Sequence, residues 1–309
     1  MSNISRHHHY LPQFYLGGFT EKGNQDGKLY VIDIEEGRDF KTSPRNVGAQ
    51  RDFNRVDLPN LKPDALENSL SEFEGHVAEV LRWMEENGKL PDDEEDYGAL
   101  MLFISILGAR NPVIRNTFVD FQNVALQRLA ELMVSSPEIW EKQLANIREE
   151  GIEIPGGVTY EYMKKFVEEQ RYEIKYTHGY HASLEFQGVD AILPYMWERG
   201  WTLCVPYENE GHFICSDRPV AIRPTKPGVR YLGFGMKYTD VTVPLSKNMA
   251  LTGRFEQEGN TILKSSEPLI NAFNGHTCEM ADKQIYAPSE EFYFLTLKGG
   301  KKHGSDLLK

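Results

Sequence analysis

A chain of 309 residues with 40% hydrophobic content can bury a large core, in one domain or two closely joined ones. Its net charge of −12 argues against binding long duplex nucleic acid, which needs a basic face, although a local basic pocket for a small anionic ligand or nucleic acid remains compatible. Mean hydropathy is −0.49, and the most apolar run, Ala99 to Ala109, is about half the roughly 20 residues a bilayer span needs, so no membrane segment is expected.

The chain opens on Arg6-His7-His8-His9-Tyr10-Leu11-Pro12-Gln13-Phe14-Tyr15-Leu16. The histidines lead straight into aromatic and aliphatic residues, so the run reads as packed sequence and not as a tag. Met1 is followed by polar residues, which predicts no secretory leader. Cys204, Cys215 and Cys278 form no Cys-x-x-Cys pair. They suit a reducing, cytoplasmic setting and disfavour a structural zinc.

Residues 28–34 alternate as a strand, with Gly37 as a turn. The first 60 residues therefore read as a small β-containing portion. Asp64 and Glu67 have capping-box spacing ahead of Leu66, Leu70, Phe73, Val77, Val80 and Met84, one apolar helical stripe ended by Asn87-Gly88. The acidic residues 92–96 suit the start of a second helix through Leu100, Phe103, Ile104 and Leu107, which Pro112 must break. Helix resumes at Ile114 and is expected to continue past Pro137 toward Arg148.

After a loop over 151–157, two further helices are predicted near 159–172 and 182–199, the latter interrupted by Pro194. Short β runs follow at 201–206, 212–215, 220–223, 239–245 and 249–254, then a helix near 266–280 and strands at 284–286 and 292–297. The tail from Gly299 to Lys309 is polar and expected to fray. Helices in the middle (61–200) and strands at both ends (1–60, 201–298) predict an α+β fold, a helical bundle flanked by a mixed or antiparallel sheet, in a single domain over 1–309. The usual nucleotide-binding, serine hydrolase and zinc protease motifs are absent from the sequence.

Three groups of residues could carry chemistry. Neutral imidazoles at His8 and His9 are metal ligands or proton shuttles, though on a strand they must face opposite ways, and a buried histidine is often structural. Arg110 extends the apolar stripe of its helix. A charge there needs either an internal carboxylate or an anionic ligand, and Arg115 could complete a fork for the latter. Ser216-Asp217 lies between two apolar stretches, where it can simply shape a turn or supply a carboxylate as base or metal ligand. Glu67 and Glu74 point the same way along one helix, a pattern that also describes an ordinary solvated surface.

Three stretches together resemble a known family. His8-His9-Tyr10-Leu11-Pro12-Gln13-Phe14-Tyr15-Leu16, Arg110-Asn111-Pro112-Val113-Ile114-Arg115 and Phe213-Ile214-Cys215-Ser216-Asp217-Arg218-Pro219-Val220 are similar to the motifs of the bacterial family called domain of unknown function 4238. Pro244-Leu245-Ser246, Asn271 and residues 281–286 fit as well. Gly17, Cys215 and Arg218 depart from its pattern, and a cation at 218 would tune or block a metal site at Asp217. The resemblance implies a shared fold and no established activity.

Two functions are therefore expected to compete. One is a hydrolase of phosphoesters, a nuclease or nucleotide phosphodiesterase, with His8, His9, Gln13 and Asp217 as catalytic residues, with or without a divalent metal. In it, Arg110, Arg115 and Ser216 hold the substrate. The other is a non-catalytic protein that recognises an anionic ligand or partner.

Overall fold

The structure, a computed structural model, describes residues 6–56, 62, 64–153, 156–229 and 231–309. The boundary expected near residue 60 and part of the 151–157 loop (residues 154–155) lie outside them. The fold is α+β, in two compact units, Met1–Pro112 with His178–Lys309, and Val113–Thr177.

The first unit begins with β1 (His7–His9) and the short helix α1 (Gln13–Gly17), followed by β2 (Leu29–Asp33), β3 (Arg38–Thr42) and β4 (Ala49–Arg51). β1 pairs antiparallel with β4, setting His8 opposite Gln50. Alternation along the strand buries His8 and leaves His7 and His9 on the other face, where their rings meet edge-on at 5.2 Å. Gly48, just before β4, has a φ of 65°, and its carbonyl accepts from the backbone N–H groups of Tyr10 and Leu11 that follow β1. A Cβ at Gly48 would sit 2.9 Å from Leu16 Cδ1, so both its φ and its contacts require glycine.

Helix α2 (Ala65–Asn87) ends at Gly88 in the left-handed conformation, and its apolar stripe buries Leu70, Val77, Val80 and Met84. α3 (Glu94–Ala109) starts where the acidic run foretold. Asp93 caps it by accepting from the N–H groups of Glu95 and Asp96.

The second unit contains α4 (Pro112–Met133), α5 (Pro137–Glu149) and α6 (Tyr160–Glu168). The helix expected to run through Pro137 stops at Met133. Ser136 caps a new one, accepting from Ile139 N–H at 3.3 Å, and Pro137 takes the first helical position, where its missing N–H costs nothing. Val134, Trp140, Leu144 and Val167 make this unit's own small core.

Back in the first unit, α7 (His178–Trp197) carries Pro194 inside it. It leads to β5 (Gly200–Pro206), β6 (Cys215–Ser216), β7 (Ala221–Pro224), β8 (Thr239–Ser246), β9 (Met249–Arg254) and β10 (Thr261–Ser265). α8 (Glu267–Met280), β11 (Gln284–Ala287), β12 (Tyr293–Leu295) and β13 (Lys301–His303) close the chain. One sheet, β3-β2-β11-β6, is built from both ends of the sequence and is antiparallel throughout. A second, β10-β5-β9-β8-β7, is C-terminal and has a parallel edge at β10. The tail does not fray as expected: β13 pairs with β12, and His303 caps a closing helical turn with Asp306.

The main core lies where α1, α2 and α3 pack among the strands. Leu11, Tyr15, Leu16 and Phe19 meet Val77, Met84, Phe103 and Leu107. Tyr15 donates its hydroxyl to the Pro244 carbonyl at 2.6 Å, so the buried phenol is satisfied. This pins α1, and with it Gln13 and Phe14, beside the α2 face that carries Glu67, Ser71 and Glu74.

Acid also acts on this unit at α8, away from that core. Burial, then the Arg223 guanidinium, pushes His276 down to about 4. Folding therefore excludes a proton, so stability should fall as pH drops from the ordinary 6.5 toward about 4. His276→Gln is expected to flatten that limb of a melting-temperature profile.

Candidate functional site

The histidine strand, the loop after β4, helix α2 and the C-terminal end of α3 meet at Asn54, and α7 joins through Arg110. This residue is 2% exposed, and both ends of its side-chain amide are hydrogen-bonded. Its backbone N–H donates to His8 Nδ1 at 2.9 Å. Its side-chain nitrogen donates to the His9 carbonyl at 3.3 Å and to the Glu67 carboxylate. Its Oδ1 accepts from Arg110 Nη2 at 2.7 Å. The expected capping box on α2 does not form, because Asp64 makes no side-chain cap and Glu67 turns to Asn54 instead.

Arg110 finds an internal carboxylate. Its Nε lies 3.2 Å from Glu185 Oε2, with the two side chains 4% and 1% exposed. Phe186 and Phe53 flank the guanidinium at 5.1 and 6.0 Å. Ion pair, carboxamide and rings together let a charge reside on an apolar helix stripe. Arg115 belongs to the second unit, in the first turn of α4, and is described apart from this site.

Beside this network a cleft of about 310 Å³ opens between α1 and α2. His9 and Gln13 line one side, and Glu67, Ser71 and Glu74 line the other. The α2 residues recur at helical spacing and share one face, which flanks the buried apolar stripe. Burial first, then the Glu67 carboxylate, pushes Glu74 up to about 7, against the opposing pull of Arg110. His9 moves the other way: burial, then His7, lowers it, while the carbonyls of Arg45 and Pro44 and the Glu67 carboxylate pull it upward. Among the described residues, His9 Nε2 is buried with no hydrogen-bond partner.

The third sequence motif sits elsewhere in the unit. Asp217 accepts from the backbone N–H groups of Asp282, Lys283 and Gln284 at 2.9, 2.7 and 3.2 Å. Ser216 Oγ accepts from Arg218 N–H and donates to the Arg218 carbonyl, the local turn that Ser and Asp suit. Asp217 acts electrostatically on Tyr10 but does not line the cleft. Asp217→Asn leaves one oxygen for three amides and should cost about 1.5–3 kcal/mol, measurable by denaturant unfolding.

Of the residues singled out from sequence, His8, His9, Gln13 and Arg110 thus surround one region, Ser216 and Asp217 lie outside the cleft, and Arg115 is in the other unit. No group of three or more His, Cys, Asp or Glu side chains among the described residues is placed to hold a metal ion, so the residues present do not make a donor set for the divalent ion considered above. Asn54 and Glu185 were not anticipated. Asn54 lies in a loop with no motif, whereas Glu185 leaves a trace, a carboxylate between Ala182 and Val189 on a buried helix face.

Residues 7–291 match the model of the family described as "Protein of unknown function (DUF4238)". The chain belongs to the DUF4238 family. No curated protein and no solved structure matches it. All three motifs that resembled DUF4238 lie within the matched span. Two of them reach into the Asn54 network or the cleft, and the third forms the Asp217 turn.

Proposed function

We propose that this DUF4238 protein is a hydrolase working by general acid–base catalysis in the cleft between α1 and α2. The observation that carries this reading is the opposed displacement of two cleft residues, Glu74 upward and His9 downward. Glu74, raised to about 7, keeps its proton up to that pH, while the lowering of His9 favours its neutral imidazole, so an acid and a base are present together near neutral pH.

In this reading the Glu74 carboxyl gives its proton to the leaving oxygen as the scissile bond breaks. A water molecule attacks from the other side and gives a proton to the His9 imidazole, which lines the cleft. Gln13, on the same wall as His9, orients the water or the substrate. Asn54 acts through others, fixing the backbone of His9 and the carboxylate of Glu67. The phosphoester expected from two arginines loses its motivation, because Arg110 is engaged by Glu185 and Asn54 and no cation lines the cleft among the described residues.

One observation favours the non-catalytic alternative: Arg110, Ser216 and Asp217 all have internal partners, as residues that hold a fold do. The two readings separate on the pH dependence of turnover, assayed on p-nitrophenyl glycosides, carboxylic esters and phosphates. A bell is expected, with an acid limb below His9's ordinary 6.5 and an alkaline limb near 7 from Glu74. His9→Gln should abolish the acid limb and lower kcat by about 10²–10⁴-fold. A chain that binds but turns over none of these substrates supports the alternative.

A further inference from the structure

The cleft does not end at Glu74. At Phe14, Gln25 and Ala78 it opens into a second hollow of about 380 Å³. That hollow shares Glu85 and Met249 with a third, of about 520 Å³. The three follow α2 from Glu67 to Glu85, about 27 Å at the helical rise of 1.5 Å per residue. A groove of that length suits a chain-like ligand, not a single small molecule.

Its lining says what kind of chain. Carboxamides recur along it at Gln13, Gln25, Asn24, Asn209 and Asn248, with Ser71 and Ser246 supplying hydroxyls. Such groups both donate and accept, as a ligand dense in hydroxyl groups requires, although Asn248 also donates to Glu85, Ser246 accepts from the Asn248 N–H and Asn24 accepts from the Asp26 N–H. Phe14, half-buried, and Tyr207, 53% exposed, set aromatic faces at different points of the groove. The faces of a sugar ring, edged by C–H groups, pack on such surfaces. Among the described residues that line the three hollows, Arg82 is the sole lysine or arginine, against Asp26, Glu67, Glu74, Glu85 and Glu208, so a polyanion is disfavoured.

Gly75 lines the cleft beside Glu74. It lies inside α2, where glycine costs about 1 kcal/mol relative to alanine. A Cβ there would meet nothing within 4 Å, so no neighbour demands the absence of a side chain. Its φ is not in the left-handed region either. What the missing side chain does is leave the cleft wall open beside Glu74.

We propose that the groove along α2 binds a neutral oligosaccharide and presents a glycosidic bond at its Glu67–Glu74 end. The cleavage step rests on the acid–base reading given above; the binding does not. In that step the anomeric C–O bond breaks, and Glu74 protonates the departing oxygen. Water then forms the new C–O bond, its proton passing to His9 and back to Glu74 through solvent.

Calorimetric titration of the full chain with maltose-, cellulose-, xylan- and chitin-derived oligomers of one to five sugars tests this directly. For one series affinity should rise with length, and Gly75→Leu should weaken it at least tenfold while melting no lower than wild type. Tyr207→Ala should weaken the longer oligomers and leave the monosaccharide unchanged. Sugar binding without turnover of the matching p-nitrophenyl glycoside upholds the groove's ligand and sinks the acid–base reading. Turnover of phosphate esters with no sugar binding does the reverse. The proposal is overturned if none of the four series binds, if Gly75→Leu binds as wild type does, or if tetralysine binds and the sugars do not.

Discussion

Glu185→Ala should cost about 3–5 kcal/mol of folding free energy, the penalty for leaving a buried charge without its partner. Arg110 and Glu185 are 4% and 1% exposed, so neither charge can turn to water. Arg110 also supports Asn54, which holds the histidine strand and Glu67. The loss therefore spreads from one ion pair to the walls of the cleft. For a unit of this size it should appear as a fall of about 10 °C in melting temperature. Asn54→Ala should lie in the same direction with a smaller loss, since it removes hydrogen bonds without stranding a charge on an apolar stripe. Equal melting of Glu185→Ala and wild type would show that the guanidinium is held by something other than this carboxylate.

Glu74→Gln has the opposite signature: activity is lost while stability is kept or raised. Removing the proton donor should lower kcat by about 10²–10⁴-fold and erase the alkaline limb of the profile. The stability effect follows from proton linkage. Glu74 binds its proton more tightly in the folded chain, titrating at about 7 in place of 4.5. Folding thus takes up a proton between those values, and stability falls as pH rises through that window and stays lower above it. Glutamine carries no such charge. The variant should match wild type in melting below pH 4.5 and melt a few degrees higher above pH 7. Higher melting with lost turnover marks a residue kept for chemistry at the expense of stability.

The fold was legible where one periodicity dominates. β9 (Met249–Arg254) runs as foreseen, and α8 (Glu267–Met280) departs by a single residue, because alternation or an amphipathic stripe leaves no competing state there. Polar strands were not legible. β13 (Lys301–His303) has no apolar alternation and exists because β12 offers a partner edge. The capping box at Asp64 failed for a related reason: Asn54, distant in sequence, competes for Glu67.

The candidate site was half legible. Arg110 on an apolar stripe announced a buried partner, and Glu185 on the facing stripe of α7 was the matching signal, visible only once both helices are read as buried. The first histidine motif pointed to the right region. His8 turned inward to a backbone amide and His9 outward to the cleft, as strand alternation requires. Ser216-Asp217 drew attention by residue type, yet its oxygens close a turn and a loop. Glu67 and Glu74 resemble any solvated helix face until α1 is laid over them. Their chemistry depends on burial, which helical spacing alone does not report.

The catalysis proposed for the cleft depends on Glu74 carrying a proton near neutral pH. The most direct measurement is a pH titration of the side-chain carboxyl resonances in protein labelled with ¹³C at glutamate Cδ, with the Glu74 signal assigned by its absence from Glu74→Gln. A midpoint near 7 is expected. A midpoint below 5 would make Glu74 an ordinary solvated carboxylate and remove the proton donor from the site.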